Sequence, residues 1–203
     1  MLYPDVAQEL IERRRHDFDV RQRLSTEGKL FRGYNPEMEK VHLDNAQRLQ
    51  EIIVQMGWPT REQVGEEASR AAWLIVQHAI SLPSFMKSAL ALMKEQAKES
   101  AIDPVELAFL SDRIAMFENL PQSYGTQFVG DEQGRLVPYQ LDDSIDQVNQ
   151  RRQQLGLNTV EERLDELTAQ MNVEREKQPT ANERQLEWEE YDTWRRKVGW
   201  IAT

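Results

Sequence analysis

Cysteine is absent from the 203-residue chain, which removes disulfide staples, thiolate nucleophiles and every thiolate metal site. Only His, Asp, Glu and neutral oxygens remain for metal chemistry. Histidine is itself scarce, with three in all, and His16, His42 and His78 fall on separate predicted helices with no HExxH pattern. The expectation is a chain with neither metal nor cofactor. Long apolar runs are also missing: no stretch of eighteen apolar residues occurs. The opening MLYPDVAQELIERRR carries charge where an export signal would carry its apolar region. A cytoplasmic protein without membrane association is expected.

There is no excess of positive charge. Lys and Arg number 25 against 35 Asp and Glu, a formal net charge of -10, which argues against a nucleic-acid partner because clustered cations dominate affinity for the phosphate backbone. The local run Arg13, Arg14, Arg15 is balanced by Asp17 and Asp19 and reads as a solvated helix face. The Walker phosphate loop, GxGxxG and the GxSxG nucleophile elbow are all absent. His16 followed by Asp17 has the order seen in helical metal phosphohydrolases, but one such pair carries little by itself. Arg70 and His78 lie further apart than the Arg and His of helical ribonucleases, and the chain is acidic.

What the chain does contain is helical punctuation. Residues 5–27 are helix formers without internal Gly or Pro. From Pro36 to Met56, the residues Met38, Val41, Leu49, Ile52, Ile53 and Met56 recur at helical spacings and give one face to bury. Gly57, Trp58 and Pro59 stop that helix, and Thr60 with Gln63 has capping-box spacing for the next. Its stripe runs Val64, Ala68, Ala71, Ile75 and His78, until Pro83 ends or interrupts it. A fourth helix, about Ser84 to Lys98, is expected to bury Phe85, Leu90, Leu92 and Met93. Asp103 and Pro104 supply the cap and first residue of a fifth, with Leu107, Leu110, Ile114 and Phe117 inward.

Beyond Leu120 the pattern changes. Pro121, Gly125, Gly130 and Gly134 punctuate TQFV and RLVPYQL, predicting a β-hairpin near 126–141. Helical signals resume near Asp143, stop around Gly156 and restart at Thr159, where Glu162 completes another capping box and Val160, Leu164, Leu167 and Met171 follow. Pro179 closes that segment. A last helix, about Asn182 to Val198, carries Trp188, Tyr191 and Trp194 at intervals of three. The fold class is therefore mainly α: a compact multi-helix body over 1–158 with one small hairpin, and a charged helical arm over 159–203.

Four motifs stand in order: GWPTREQVGEEASRAAWLIVQHA from Gly57 to Ala79, LSDR from Leu110 to Arg113, PQSYGTQ from Pro121 to Gln127, and RRQQLGL from Arg151 to Leu157. With them the chain resembles an uncharacterised family of bacterial domains of unknown function, over roughly residues 40–160. Family members commonly have LTDR where this chain has LSDR. The resemblance implies boundaries and candidate residues but no reaction.

Read physically, the motifs place polar groups where packing would favour apolar ones. His78 continues an inward stripe and suits a general base, since its ordinary pKa lies near neutrality; the plainer reading is a core histidine held by a carbonyl or carboxylate. Arg113 falls on the inward stripe between Leu110 and Phe117, with Asp112 beside it, as an anion-binding fork with a base or as an internal ion pair. Gln122, Tyr124, Thr126 and Gln127 offer donors and acceptors on a glycine-containing loop of the kind that lines a pocket, or that merely ties a turn down. Arg151 and Arg152 suit a helix C-terminus.

The function expected is a small-molecule binding or hydrolytic domain, with His78 and Asp112 catalytic and Arg113, Gln122, Tyr124, Thr126 and Gln127 binding an unidentified small molecule. The alternative is a non-catalytic interaction module whose polar cluster is structural, meeting a protein partner or a second copy through 159–203.

Overall fold

The computed structural model describes residues 2–30, 33–97, 102–174 and 181–202. Among these the chain is mainly helical, with one two-stranded antiparallel hairpin and a C-terminal helix. It divides into two compact units, Met1–Leu107 and Ala108–Thr203, the division falling inside one helix. The stretch expected as an arm, 159–203, belongs to the second unit. Pro179 and Lys98 lie outside the described residues, as does the side chain of Met171.

The first unit is a helical bundle. Helix α1, Pro4–Thr26, starts on a proline whose missing N–H is no loss at a helix start, and buries Ala7, Leu10, Asp17, Val20 and Leu24. Helix α2, Pro36–Met56, is capped by Asn35, whose side chain accepts the N–H groups of Glu37 and Met38. It buries Met38, Asn45, Ala46, Leu49 and Ile52. Leu24, Val20 and Met38 form a core cluster, with Leu30, Tyr34 and Val41 against it.

The stripe expected as one helix from residue 61 is two. Helix α3, Arg61–Val64, ends at Gly65, and α4, Glu66–His78, begins beyond it. Gly65 has φ 84° and ψ 163°, a region essentially closed to side-chain-bearing residues, so the axis is reset there. The cap at the start of α3 is formed, the Gln63 side chain accepting the N–H of Thr60 at 3.0 Å. Helix α4 packs against α1, α2, α3 and α5 and so is the centre of the unit.

Pro83 opens the next helix and does not merely end the previous one: α5 spans Pro83–Ala97, and α4 has already stopped at His78. Its buried face is Pro83, Phe85, Met86, Ala89 and Met93. Leu92, expected inside, is 38% exposed, because a face centred on Met86, Ala89 and Met93 turns it outward. Helix α6, Pro104–Phe117, has the expected cap, with the N–H of Val105 on Asp103 Oδ1 at 2.9 Å.

In the second unit, β1 Phe128–Gly130 pairs with β2 Leu136–Pro138 in the register Phe128↔Pro138, Val129↔Val137, Gly130↔Leu136. Helix α7, Ile145–Gln154, is capped by Ser144. Helix α8, Val160–Glu174, opens on a complete capping box: Glu162 Oε2 accepts the N–H of Thr159 at 2.8 Å, and Thr159 Oγ1 accepts that of Glu162 at 3.1 Å. It packs on β2 and α7. Helix α9, Ala181–Val198, turns its aromatic residues to Phe117, whose ring lies 6.2 Å from Tyr191 and 5.9 Å from Trp194. Trp188 is 41% exposed.

Candidate functional site

Three helices of the first unit each contribute one polar side chain to a single cluster. Asp17 comes from the middle of α1, on the same inward face as Leu10, Val20 and Leu24. His42 comes from α2, one turn before buried Asn45 and Ala46. His78 is the last residue of α4. Nδ1 of His78 lies 2.7 Å from Asp17 Oδ2, and Nε2 of His42 lies 3.3 Å from the same oxygen. The imidazole centroids are 4.7 Å apart. Tyr34 adds an outer contact, its hydroxyl 2.5 Å from His42 Nδ1 and 3.5 Å from the carbonyl of His78.

Burial grades across the cluster. The side chain of Asp17 is 2% exposed, that of His42 11% and that of His78 21%. Burial by itself would drive the Asp17 carboxyl up, but the imidazoles of His42 and His78 beside it hold it well below the usual carboxylate range. The carboxylate is thus the ionised anchor of the cluster. Its second oxygen, Oδ1, has no hydrogen-bond partner among the described residues. Such an arrangement can orient an imidazole for proton transfer or collect a cation.

Of these three residues only His78 stands among the candidates that the sequence offers. Asp17 reads as part of a solvated face with Arg13, Arg14 and Arg15, yet two of those arginines turn elsewhere: Arg13 to Glu9 and Asn45, and Arg14 to Glu67. The overlooked signal was the spacing of Leu10, Asp17, Val20 and Leu24, which puts an acid on an apolar stripe. His42 likewise shares the face of Met38, Asn45 and Leu49.

The other six selected residues lie in the second unit, where four hold one loop together. Asp112 is 1% exposed and accepts the N–H groups of Ser123 (2.9 Å), Tyr124 (3.1 Å) and Thr126 (3.0 Å), and the hydroxyl of Thr126 (3.0 Å). Burial pushes its carboxyl above the ordinary value, and the amides of Thr126 and Ser123 offset part of that. Gln122 is fully buried; its amide donates to the carbonyls of Gln127 and Tyr139 at 2.8 and 3.0 Å and accepts the N–H of Gln127 at 2.8 Å. Gln127 Nε2 in turn donates to Thr126 Oγ1 at 3.0 Å.

Arg152 completes this loop from α7. It is 2% exposed and donates to the carbonyls of Tyr124 (2.9 Å), Gly125 (3.0 Å) and Asn158 (2.6 Å), so the loop, not the helix terminus, engages it. The order at Asp112 and Arg113 is the reverse of that expected. Asp112 points inward because three amides and a hydroxyl await it, whereas Arg113 is half-buried, its guanidinium 5.9 Å from the centroid of the Phe117 ring.

The second unit also carries an open pocket of about 430 Å³, lined in part by Phe128, Leu136, Tyr139, Trp188, Tyr191 and Arg195. None of the residues expected as catalytic or binding lines it. Burial pushes the Tyr191 phenol up to about 12, so its hydroxyl stays protonated at neutral pH. No helix among the described residues is long and apolar enough to cross a membrane.

No curated protein and no solved structure matches this chain. A family model described as a family of unknown function (DUF6624) matches residues 4–174. The match reaches beyond the 40–160 expected from the motifs, and takes in all of α1 with Asp17 as well as α8. It covers more than half of the chain, which therefore belongs to this family of unknown function.

Proposed function

We propose that the chain is a small-molecule binding or hydrolytic domain whose working centre is the Asp17, His42 and His78 cluster. The observation that carries this reading is the 2.7 Å contact between the His78 imidazole and a carboxylate that is 2% exposed. An ionised Asp17 accepting from Nδ1–H holds His78 in the tautomer whose Nε2 is the basic nitrogen, the arrangement that serves a general base. In the second unit, Asp112, Gln122, Thr126 and Gln127 fix the loop that carries Tyr124.

Three chromogenic probes test this: p-nitrophenyl phosphate, bis(p-nitrophenyl) phosphate and p-nitrophenyl acetate. Hydrolysis above the buffer rate by the wild type, lost in His78→Gln while its melting temperature is retained, supports the reading. Hydrolysis undiminished in that variant contradicts it.

A second reading, a non-catalytic interaction module, is supported by the internal use of Asp112 and Gln122 and by exposed Leu186 and Trp188 on α9, 47% and 41% respectively. Under that reading, removal of residues 159–203 changes the sedimentation behaviour of the protein. Unchanged sedimentation removes its support.

A further inference from the structure

We propose that Asp17, His42 and His78 form a site for one divalent transition metal ion of the Zn²⁺ class, against the expectation of a metal-free chain. The inference rests on the reading of this cluster as the working centre and names what the centre holds, with His78 a ligand through Nδ1 in place of a general base through Nε2.

The donor set has the right chemistry. Two imidazoles and one carboxylate are borderline donors that favour Zn²⁺, Fe²⁺, Co²⁺ or Ni²⁺ over Ca²⁺ or Mg²⁺, which prefer all-oxygen shells. Three protein ligands with a remaining open position is the composition of reactive sites, not of closed structural ones. The three ligating atoms lie within 4.8 Å of one another. Bonds of about 2.0–2.1 Å in a tetrahedron place ligand atoms about 3.3 Å apart. His42 Nε2 and Asp17 Oδ2 already have that separation, 3.3 Å; His78 Nδ1, at 2.7 Å, would move out by roughly half an ångström as its proton passes to Nε2.

Two further observations point to a cation between these groups. Asp17 Oδ1 is buried without a hydrogen-bond partner among the described residues, so the carboxylate is incompletely satisfied by the two imidazoles alone, an expensive state for a buried charge. His42 supplies the second. Its Nε2 is buried, lies 3.3 Å from Asp17 Oδ2 and has no hydrogen-bond partner among the described residues, while its Nδ1 meets the Tyr34 hydroxyl at 2.5 Å. A cation held between Nε2 and the carboxylate would satisfy both. A ligating histidine whose other ring nitrogen donates to an outer oxygen is also the usual second layer of a metal site.

The test uses the full chain, stripped with a chelator and titrated with ZnCl₂ by calorimetry and with CoCl₂ by visible absorption. The expected result is one equivalent bound per chain, a Co²⁺ ligand-field band, and a rise in melting temperature with Zn²⁺. His42→Gln and His78→Gln should each weaken binding by tenfold or more. His16→Gln, which alters an exposed histidine on the same helix as Asp17, should leave it unchanged. Circular dichroism confirms that each variant folds. Absence of stoichiometric Zn²⁺ and Co²⁺ binding, or binding equal in the wild type and both histidine variants, overturns the proposal. If the stripped protein still hydrolyses the chromogenic probes and His78→Gln abolishes it, the metal is overturned while the catalytic reading stands. Metal binding that fits the variants while every probe stays intact supports the site and removes hydrolysis from the reading.

Discussion

The imidazole of His78 and the carboxylate of Asp17 meet at 2.7 Å although 61 positions separate them in the chain. The contact joins the end of α4 to the middle of α1, the two helices that share the most extensive packing of the first unit. A polar pair inside an apolar helix interface costs stability unless each partner is satisfied, so its presence in the bundle is itself informative.

Removing the anchor should be costly. Asp17→Ala is expected to destabilise the first unit by about 3–5 kcal/mol, because the His78 imidazole loses a buried charged acceptor. The pH dependence follows from the depressed carboxyl. Its stabilising contribution is fully present above the unfolded value near 3.8 and is lost as pH falls through the lower folded value. Between pH 5 and pH 2, urea midpoints should therefore fall more steeply for wild type than for Asp17→Asn. Parallel midpoints in the two proteins would contradict the assignment.

Glu106, in the first turn of α6, titrates in the opposite sense. Burial, reinforced by the charge of Asp103, pushes its carboxyl up to about 7 from 4.5. The folded state then binds the proton more tightly, so stability declines as pH rises from about 4.5 to 7 and the whole penalty is present above 7. Glu106→Gln should leave stability unchanged at pH 4 and raise it by about 1–3 kcal/mol at pH 8. Chemical denaturation at the two pH values checks both halves.

Gly125 tests the loop of the second unit. Its φ is 60°, and an added Cβ would lie 2.8 Å from Val160 Cγ2 and 3.3 Å from Val148 Cγ1. Gly125→Ala combines backbone strain with overpacking and should cost about 2–4 kcal/mol, measured as a shift of the denaturation midpoint.

Arg152 is expected to matter as much as the loop it holds. Arg152→Met keeps the aliphatic stem but leaves the carbonyls of Tyr124, Gly125 and Asn158 without their donor, at a cost of about 2–4 kcal/mol. Arg151→Met, which loses exposed ion pairs to Asp142 and Asp143 and a bond to the carbonyl of Ser123, should cost about 1 kcal/mol.

Much of this fold is legible locally, since caps and breaks are short-range chemistry: Thr60 with Gln63, Asp103 before Pro104, and Thr159 with Glu162 each mark a helix start where one forms. Periodicity also fixes most inward faces. It fails where a polar group is inward for a reason that sits elsewhere in the chain. Asp17 reads as a surface acid until α2 and α4 bring histidines to it, and Asp112 reads as less buried than Arg113 until three amides of the following loop are counted. The division at Leu107 leaves no local sign either, because it falls within the continuous helix α6.

The most direct test of the central claim is an imidazole nitrogen NMR titration of the full chain with Zn²⁺. The account predicts that one equivalent shifts the ring nitrogens of His42 and His78 together, including Nε2 of His42 and Nδ1 of His78, and leaves exposed His16 in place. Shifts confined to His16, or no shift at His42 and His78 after a full equivalent, would contradict it.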